Sequence, residues 1–192
     1  MALPPLTVFD TETTGMEPKK GHRIIEIAAA KIVDGVIADT FDMLVNPERP
    51  VPIETKQIHR ITDDELAHAA TIMTVLPQFL EFAKGSVLIA QNAAFDMAFL
   101  EAEKEFCWGY IELPECLCTM RLSQNLFPQE ARHNLDAICR RLSITVPLVR
   151  HRAMADVDLT AQALLKMIEC GKIGSLDDLR KRAAIEYAAL RN

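Results

Sequence analysis

Residues Thr7 to Gly15 read TVFDTETTG. An apolar run leads into two carboxylates, Asp10 and Glu12, with one residue between them. Side chains alternate along a strand, so both acids would project from the same face. Two like charges held together away from water repel and lose hydration. A hard divalent cation with oxygen ligands would neutralise them. For a lone pair of acids, a solvated strand end is the plainer alternative. The Thr13-Thr14-Gly15 that follows is small, which lets a ligand's backbone approach the sheet edge.

Working outward, residues 6–10 read as a short strand. Arg23 to Val33 and Val36 to Val45 read as two more, joined by Asp34-Gly35, a two-residue hairpin signal. These three strands form an expected antiparallel meander. Pro47, Pro50 and Pro52 break the chain into a loop. Thr62-x-x-Glu65 is a capping box opening a short helix. Residues 74–84 look helical, with Pro77 tolerated near the first turn. Ser86 to Ala90 is an apolar run suited to a buried strand. Asn92 would cap a helix through Phe106, with Phe95, Phe99, Ala102 and Phe106 on one face. Further helices are expected near 119–127, 133–142 and 153–170. After a break from Gly171 to Gly174, Ser175 would cap a final amphipathic helix of about four turns. Three strands followed by alternating strand and helix give an α/β fold, a mixed sheet flanked by helices.

Two further segments carry acids. Asp96 lies in the first turns of the helix that follows the buried strand, where an acid also answers the helix dipole. His151 to Ala161 reads HRAMADVDLTA. An offset of five puts His151 and Asp156 on different helical faces, so the histidine fits the loop before the helix. Periodicity does not choose between Asp156 and Asp158, since both flank the stripe Val157, Ala161, Leu164 and Ile168.

The 192 residues suit one domain with a sizeable core. Hydrophobic residues at 49% and charged residues at 25% exclude disorder as the default. A net charge of -6 argues against a basic nucleic-acid coat protein. It leaves room for a nucleic-acid enzyme whose bound cations offset its acids. The five cysteines are odd in number and irregular in spacing. Cys116-x-Cys118 has no second pair, so packed, reduced thiols in a cytosolic protein are expected rather than zinc. The N-terminal residues show neither a signal peptide nor an apolar run long enough to span a membrane.

Taken in order, three segments resemble the motifs of the DEDDh branch of the DnaQ-like 3′→5′ exonucleases. They are FDTETTG at Phe9–Gly15, NAAFDMAFL at Asn92–Leu100 and HRAMADVDLT at His151–Thr160. The intervening IHRIT at Ile58–Thr62 and HNLDAICRRL at His133–Leu142 look like that family's connecting segments. The likeness runs to about residue 170, and the first motif reads much as in the branch that proofreads for bacterial replicative polymerases. It implies a ribonuclease H-like sheet. It implies that Asp10, Glu12, Asp96 and Asp156 hold two Mg²⁺ or Mn²⁺ ions, with Asp10 bridging. His151 would be the general base, and the family's spacing selects Asp156 over Asp158. The terminal nucleotide would lie on the backbone at Thr13 and Gly15. Ile58 and His59 would bracket its sugar, with Glu54 and Asn92 near. Residues 1–172 would form the exonuclease domain and 173–192 a helix packed on it.

Two positions depart from the family. Gln91-Asn92 stands where His-Asn is frequent, and His59-Arg60-Ile61 where His-Gly-Ile is frequent. Arg60 reads either as an added phosphate contact or as a plain surface residue. Arg121, Arg132, Arg140, Arg141, Arg150 and Arg152 read either as a phosphate-tracking rim or as a solvated face. The expected partner is a nucleic-acid 3′ end, single-stranded or frayed, with a DNA polymerase subunit or a second copy of the chain also admitted. An RNA trimmer on the same scaffold and a polymerase-docking module remain as alternatives.

Overall fold

The computed structural model describes residues 3–107, 111–147 and 152–185. Strand β1 (Leu6–Thr13) pairs antiparallel with β2 (Ile24–Val33), which pairs antiparallel with β3 (Val36–Leu44). Helices α1 (Ile53–His59), α2 (Asp63–Ala67) and α3 (Ile72–Ala83) follow. Strand β4 (Val87–Ala90) then enters parallel to β1 and leads into α4 (Ala94–Glu103). Strand β5 (Cys116–Cys118) pairs parallel with β4 and opens into α5 (Thr119–Leu126). The last described elements are α6 (Leu135–Arg141), α7 (Ala153–Cys170) and α8 (Leu176–Ala183). The sheet order is β3-β2-β1-β4-β5, the mixed sheet expected.

The two faces of the sheet bury different partners. Leu6 and Val8 of β1 and Ala28 and Ala30 of β2 pack beneath α7 with its Val157, Ala161 and Leu164. The small alanines let a long helix lie close to the strands. On the other face Phe9, Ala29, Leu88 and Ala90 meet Leu76 and Phe79 of α3 and Phe99 of α4. Phe79 is fully buried, its ring 5.4 Å from that of Phe9 and 5.9 Å from that of Phe41. Phe79→Ala should therefore cost about 3–5 kcal/mol, read as a shift in the urea midpoint at unchanged slope.

Several elements differ from expectation. Strand β1 runs to Thr13 rather than residue 10, because β2 supplies a partner as far as Ile24. Both acids thus lie inside a strand. Helix α1 goes unforeseen because His59 is its only buried residue, which leaves no apolar stripe to read. Strand β5 is three residues long, too short for a period. Asn92 does not cap α4. It adopts a left-handed φ of 56°, and its carbonyl accepts from the Phe95 amide at 2.9 Å. Phe106 lies apart from the α4 core face, 51% exposed, with the Arg23 guanidinium 4.0 Å from its ring. Helix α3 starts at Ile72, so Pro77 falls past the first turn, and the Met73 carbonyl loses its helical donor. Helix α8 ends after about two turns, because Ala184 turns extended to bridge Leu117. Its Leu179 and Ala183 are buried in the main core. Four of the five cysteines are buried and all are free, as expected of packed thiols.

Candidate active site

Strand β1 outlasts its parallel neighbour. Its register with β4 ends at Val8, opposite Ile89, so the rest of that edge is open. The turn at Gln91 and Asn92 then carries α4 back across the gap. There Asp96, 2% exposed, accepts from the Thr11 amide at 3.1 Å and the Thr11 hydroxyl at 2.8 Å, both on Oδ1. Asp96 thus continues the hydrogen bonding that β4 leaves off. Thr11→Val removes the hydroxyl but keeps the amide. A lost hydrogen bond to a charged group costs about 1.5–3 kcal/mol, so thermal unfolding should detect it.

Asp10 and Glu12 project from the opposite face, toward α7. Asp156, in the first turn of α7, joins them, and a ligand oxygen from each of the three lies within 4.8 Å of the others. Asp158 is exposed and outside this cluster. Asp96, on the far face, is not one of these three, yet of the neighbouring charges it acts most strongly on Asp10. Burial, then the charges of Asp96, Glu12 and Asp156, hold the Asp10 carboxyl well above the usual carboxylate range. Burial pushes Glu12 up to about 8, helped by Glu26 and Asp156. Burial pushes Asp96 up to about 7, with the Thr11 hydrogen bonds opposing. Such a set favours a bound cation, and all its donors are hard oxygens, the donor chemistry of Mg²⁺ or Mn²⁺.

The loop beyond β1 is held in place. Thr13 Oγ1 donates to the Gly15 carbonyl at 2.7 Å. The Arg23 amide donates to Thr14 Oγ1 at 3.0 Å. The His22 ring covers Gly15 so closely that a Cβ there would fall 2.3 Å from the ring. Arg23 then forks onto the buried Glu103 of α4, 2.9 Å from Nη2 to Oε2. The Ile24 amide donates to the same carboxylate at 2.9 Å.

Of the other expected residues, Ile58 is 52% exposed rather than core. Glu54 and Asn92 are exposed. His59 is 2% exposed, and its Nδ1 accepts from the Ile61 amide at 3.0 Å. Its proton therefore sits on Nε2, which is buried without a partner among the described residues. Burial lowers the His59 pKa, in keeping with a neutral ring. Arg60, where the family often has glycine, holds a left-handed φ of 64° at the end of α1. Gln91 is fixed between Thr119 Oγ1 at 2.5 Å and the His133 carbonyl at 2.9 Å. His151 and Arg150 lie outside the described residues.

The arginine rim divides. Arg141 is tied to Ser123, Glu130 and the Arg132 carbonyl. Arg152 is tied to Glu26. Arg132, Arg140 and Arg141 line an open recess of about 500 Å³. Sequence reasoning missed Glu26 and Glu103, because acids inside an apolar run or late in a helix carry no motif of their own. A lone Glu26 in the run IIEIAAA was the signal available.

Residues 7–164 match the RNase T family of exonucleases. The chain is 42% identical over 172 residues to a DNA polymerase III subunit epsilon-like protein of Rhodobacter capsulatus, covering 88% of this chain and 24% of that one. It is 36% identical over 166 residues to the DNA polymerase III epsilon subunit of Rickettsia prowazekii, covering 83% of this chain and 72% of that one. Among solved structures, exonuclease X bound to 5′-overhanging duplex DNA superposes with a TM-score of 0.73 at 29% identity, covering 92% and 98% of the two chains. The nuclease domain of 3′hExo, a DEDDh family member, shares the fold with a TM-score of 0.75 at 20% identity, covering 87% and 92%. Motif order, sheet topology and acid cluster agree with these matches. The chain belongs to the DnaQ-like exonuclease family, hydrolases that act on phosphodiester bonds.

Proposed function

We propose that this chain removes nucleotides from the 3′ end of DNA, releasing nucleoside 5′-monophosphates, in proofreading or repair. The convergence of Asp10, Glu12 and Asp156 within 4.8 Å carries the reading, since three half-buried carboxylates held this close repel unless a cation sits between them. Asp10, Glu12, Asp96 and Asp156 would hold two divalent ions, Mg²⁺ or Mn²⁺. When bound, the ions would supply an activated water and a stabilised leaving oxygen.

The chain's own groups do the rest. His151 takes the proton of the attacking water, a task suited to a side chain that titrates near neutrality. The segment from Thr13 to Gly15, held by Arg23 and His22, gives the terminal nucleotide a rigid floor. His59 Nε2–H is a buried donor waiting for an acceptor, which a sugar or phosphate oxygen would provide. Exposed Ile58 covers the sugar, with Glu54 and Asn92 at the margin. Arg132 and Arg140 can steer the backbone of the approaching strand.

Residues 1–172 act as the catalytic domain, and α8 packs on it through Leu179 and Ala183. The relation to epsilon subunits supports association with a polymerase, and hence work in the cytoplasm. Among the described residues, no helix is long and apolar enough to cross a membrane.

The test is a gel assay with 5′-labelled single-stranded DNA and matched RNA, in Mg²⁺, Mn²⁺ or EDTA. A metal-dependent ladder that shortens from the 3′ end on DNA is expected. Preference for RNA would reassign the substrate to RNA trimming. No cleavage of either by folded, metal-loaded protein would overturn the enzyme reading.

A further inference from the structure

Glu26 is the acid beside the cluster that the cluster does not use. It sits in β2 directly opposite Glu12 and is 1% exposed. Position alone would make it a fifth ligand, yet its oxygens are occupied. Arg152 donates to Oε1 from Nε at 2.9 Å and from Nη2 at 2.6 Å. The Ala153 amide donates to Oε2 at 2.8 Å. Ala153 is the first residue of α7, and Arg152 at its N-cap offers no side-chain cap of its own. Glu26 therefore supplies, from across the sheet, the acceptor that a helix start needs. The Arg152 carbonyl in turn accepts from the Asp156 amide at 3.3 Å. Anchor and metal-site acid lie one turn apart, and His151 is the next residue upstream in sequence.

We infer that Glu26 is a positioning residue: through Arg152 and the Ala153 amide it fixes the start of α7, and so the Asp156 carboxylate. The inference rests on the exonuclease reading. Stability alone gives a poor reason for this carboxylate. It adds charge beside Glu12, and its partner Arg152 is 45% exposed, so solvent screening leaves the pair itself little to contribute. What a forked pair plus an amide does provide is orientation, since each bond restricts a different direction. Groups that orient ligands in this way commonly change metal affinity or activity 10–100-fold when removed.

The experiment compares wild type, Glu26→Gln, Arg152→Met and the double variant. It reads kcat and KM on single-stranded DNA, Mn²⁺ binding by calorimetry without DNA, and hydrogen exchange at the amides of residues 153–157. For Glu26→Gln we expect kcat to fall roughly 10–100-fold, Mn²⁺ to bind about tenfold more weakly, and KM to stay near wild type. Exchange at the start of α7 should quicken, and the double variant should be no worse than the worse single. Wild-type kcat, Mn²⁺ binding and exchange in Glu26→Gln, with only a lower melting temperature, would overturn the inference. So would additive losses in the double variant, which would make Glu26 act without Arg152. If Glu26→Gln does not fold, the charge-neutral double variant carries the test through the same readouts. An inactive wild type would sink the exonuclease reading alone, because Mn²⁺ binding and exchange still judge the anchor.

Discussion

Asp10→Asn is expected to abolish 3′-end hydrolysis while raising the melting temperature of the metal-free protein. Asp10 lies at the centre of the acid cluster, and the charges of Asp96, Glu12 and Asp156 all act on it. Asparagine keeps the shape and removes the charge. Losing a shared ligand forfeits several kcal/mol of transition-state stabilisation, roughly 10³-fold in rate. When no cation is present, the same change removes the cost that burial and the neighbouring acids impose on Asp10, whether it keeps a charge or a proton. A gain of about 1–2 kcal/mol would move the midpoint by a few degrees in a chain of this size. Opposite signs on activity and stability distinguish a functional acid from a structural one, because losing a structural acid lowers both. The pair of measurements is a gel assay in Mg²⁺ and a melt in EDTA. Retained cleavage, or a lower melting temperature in EDTA, would remove Asp10 from the centre of the site.

The parts of this site that sequence shows are those governed by short periods. Alternation puts Asp10 and Glu12 on one face as soon as β1 is read as a strand, and the hairpin signal at Asp34-Gly35 fixes β2 against β3. Asp96 is legible as a helix-start acid, but its role in ending the β1 edge is not. That role depends on β4 stopping at Ala90 while β1 continues to Thr13. The choice between Asp156 and Asp158 is likewise invisible to periodicity, since it is set by how α7 lies over Ala28 and Ala30. Least legible are the struts. Arg23 in the loop before β2 reaches Glu103 of α4, and Glu26 in β2 reaches Arg152 before α7. Each joins the β2 side of the sheet to a helix that carries a cluster acid, across 80 and 126 residues of sequence. Pairings at such separations follow from topology, which no local pattern encodes. Arg60 shows the reverse case. Glycine would fit its left-handed backbone more easily, and that strain depends on the turn at the end of α1, a helix without an apolar stripe to read.

Without metal, stability should fall as pH rises from about 6.5 to about 8, and Mg²⁺ should abolish the fall. Glu12 is raised from 4.5 to about 8, and Asp96 from 3.8 to about 7. Through the interval between those values the folded protein holds protons that the unfolded chain has released. Their contribution is therefore complete below about pH 4 and lost as pH climbs through the folded values. Asp10, raised for the same reasons, adds to the same slope. Groups of the opposite kind act at lower pH. Asp63 and Glu65, lowered by their hydrogen bonds, add stability as pH rises through the acid range. His59, lowered by burial from 6.5, adds stability up to its ordinary value. The His59 gain is half spent at pH 6.5 and fades by about pH 7.5, so the several raised carboxyls dominate the slope. Each proton released costs about 1.4 kcal/mol per pH unit, so two coupled groups should lower the midpoint by several degrees across the window. A cation holds the carboxylates deprotonated in the folded site, so no protons are exchanged on unfolding in this window and the slope vanishes. Melts in EDTA at pH 6.5 and 8, repeated in Mg²⁺, make the comparison. A flat or rising midpoint in EDTA would mean that the cluster carries its charges without strain, and the case for a cation at Asp10, Glu12, Asp96 and Asp156 would lose its electrostatic basis.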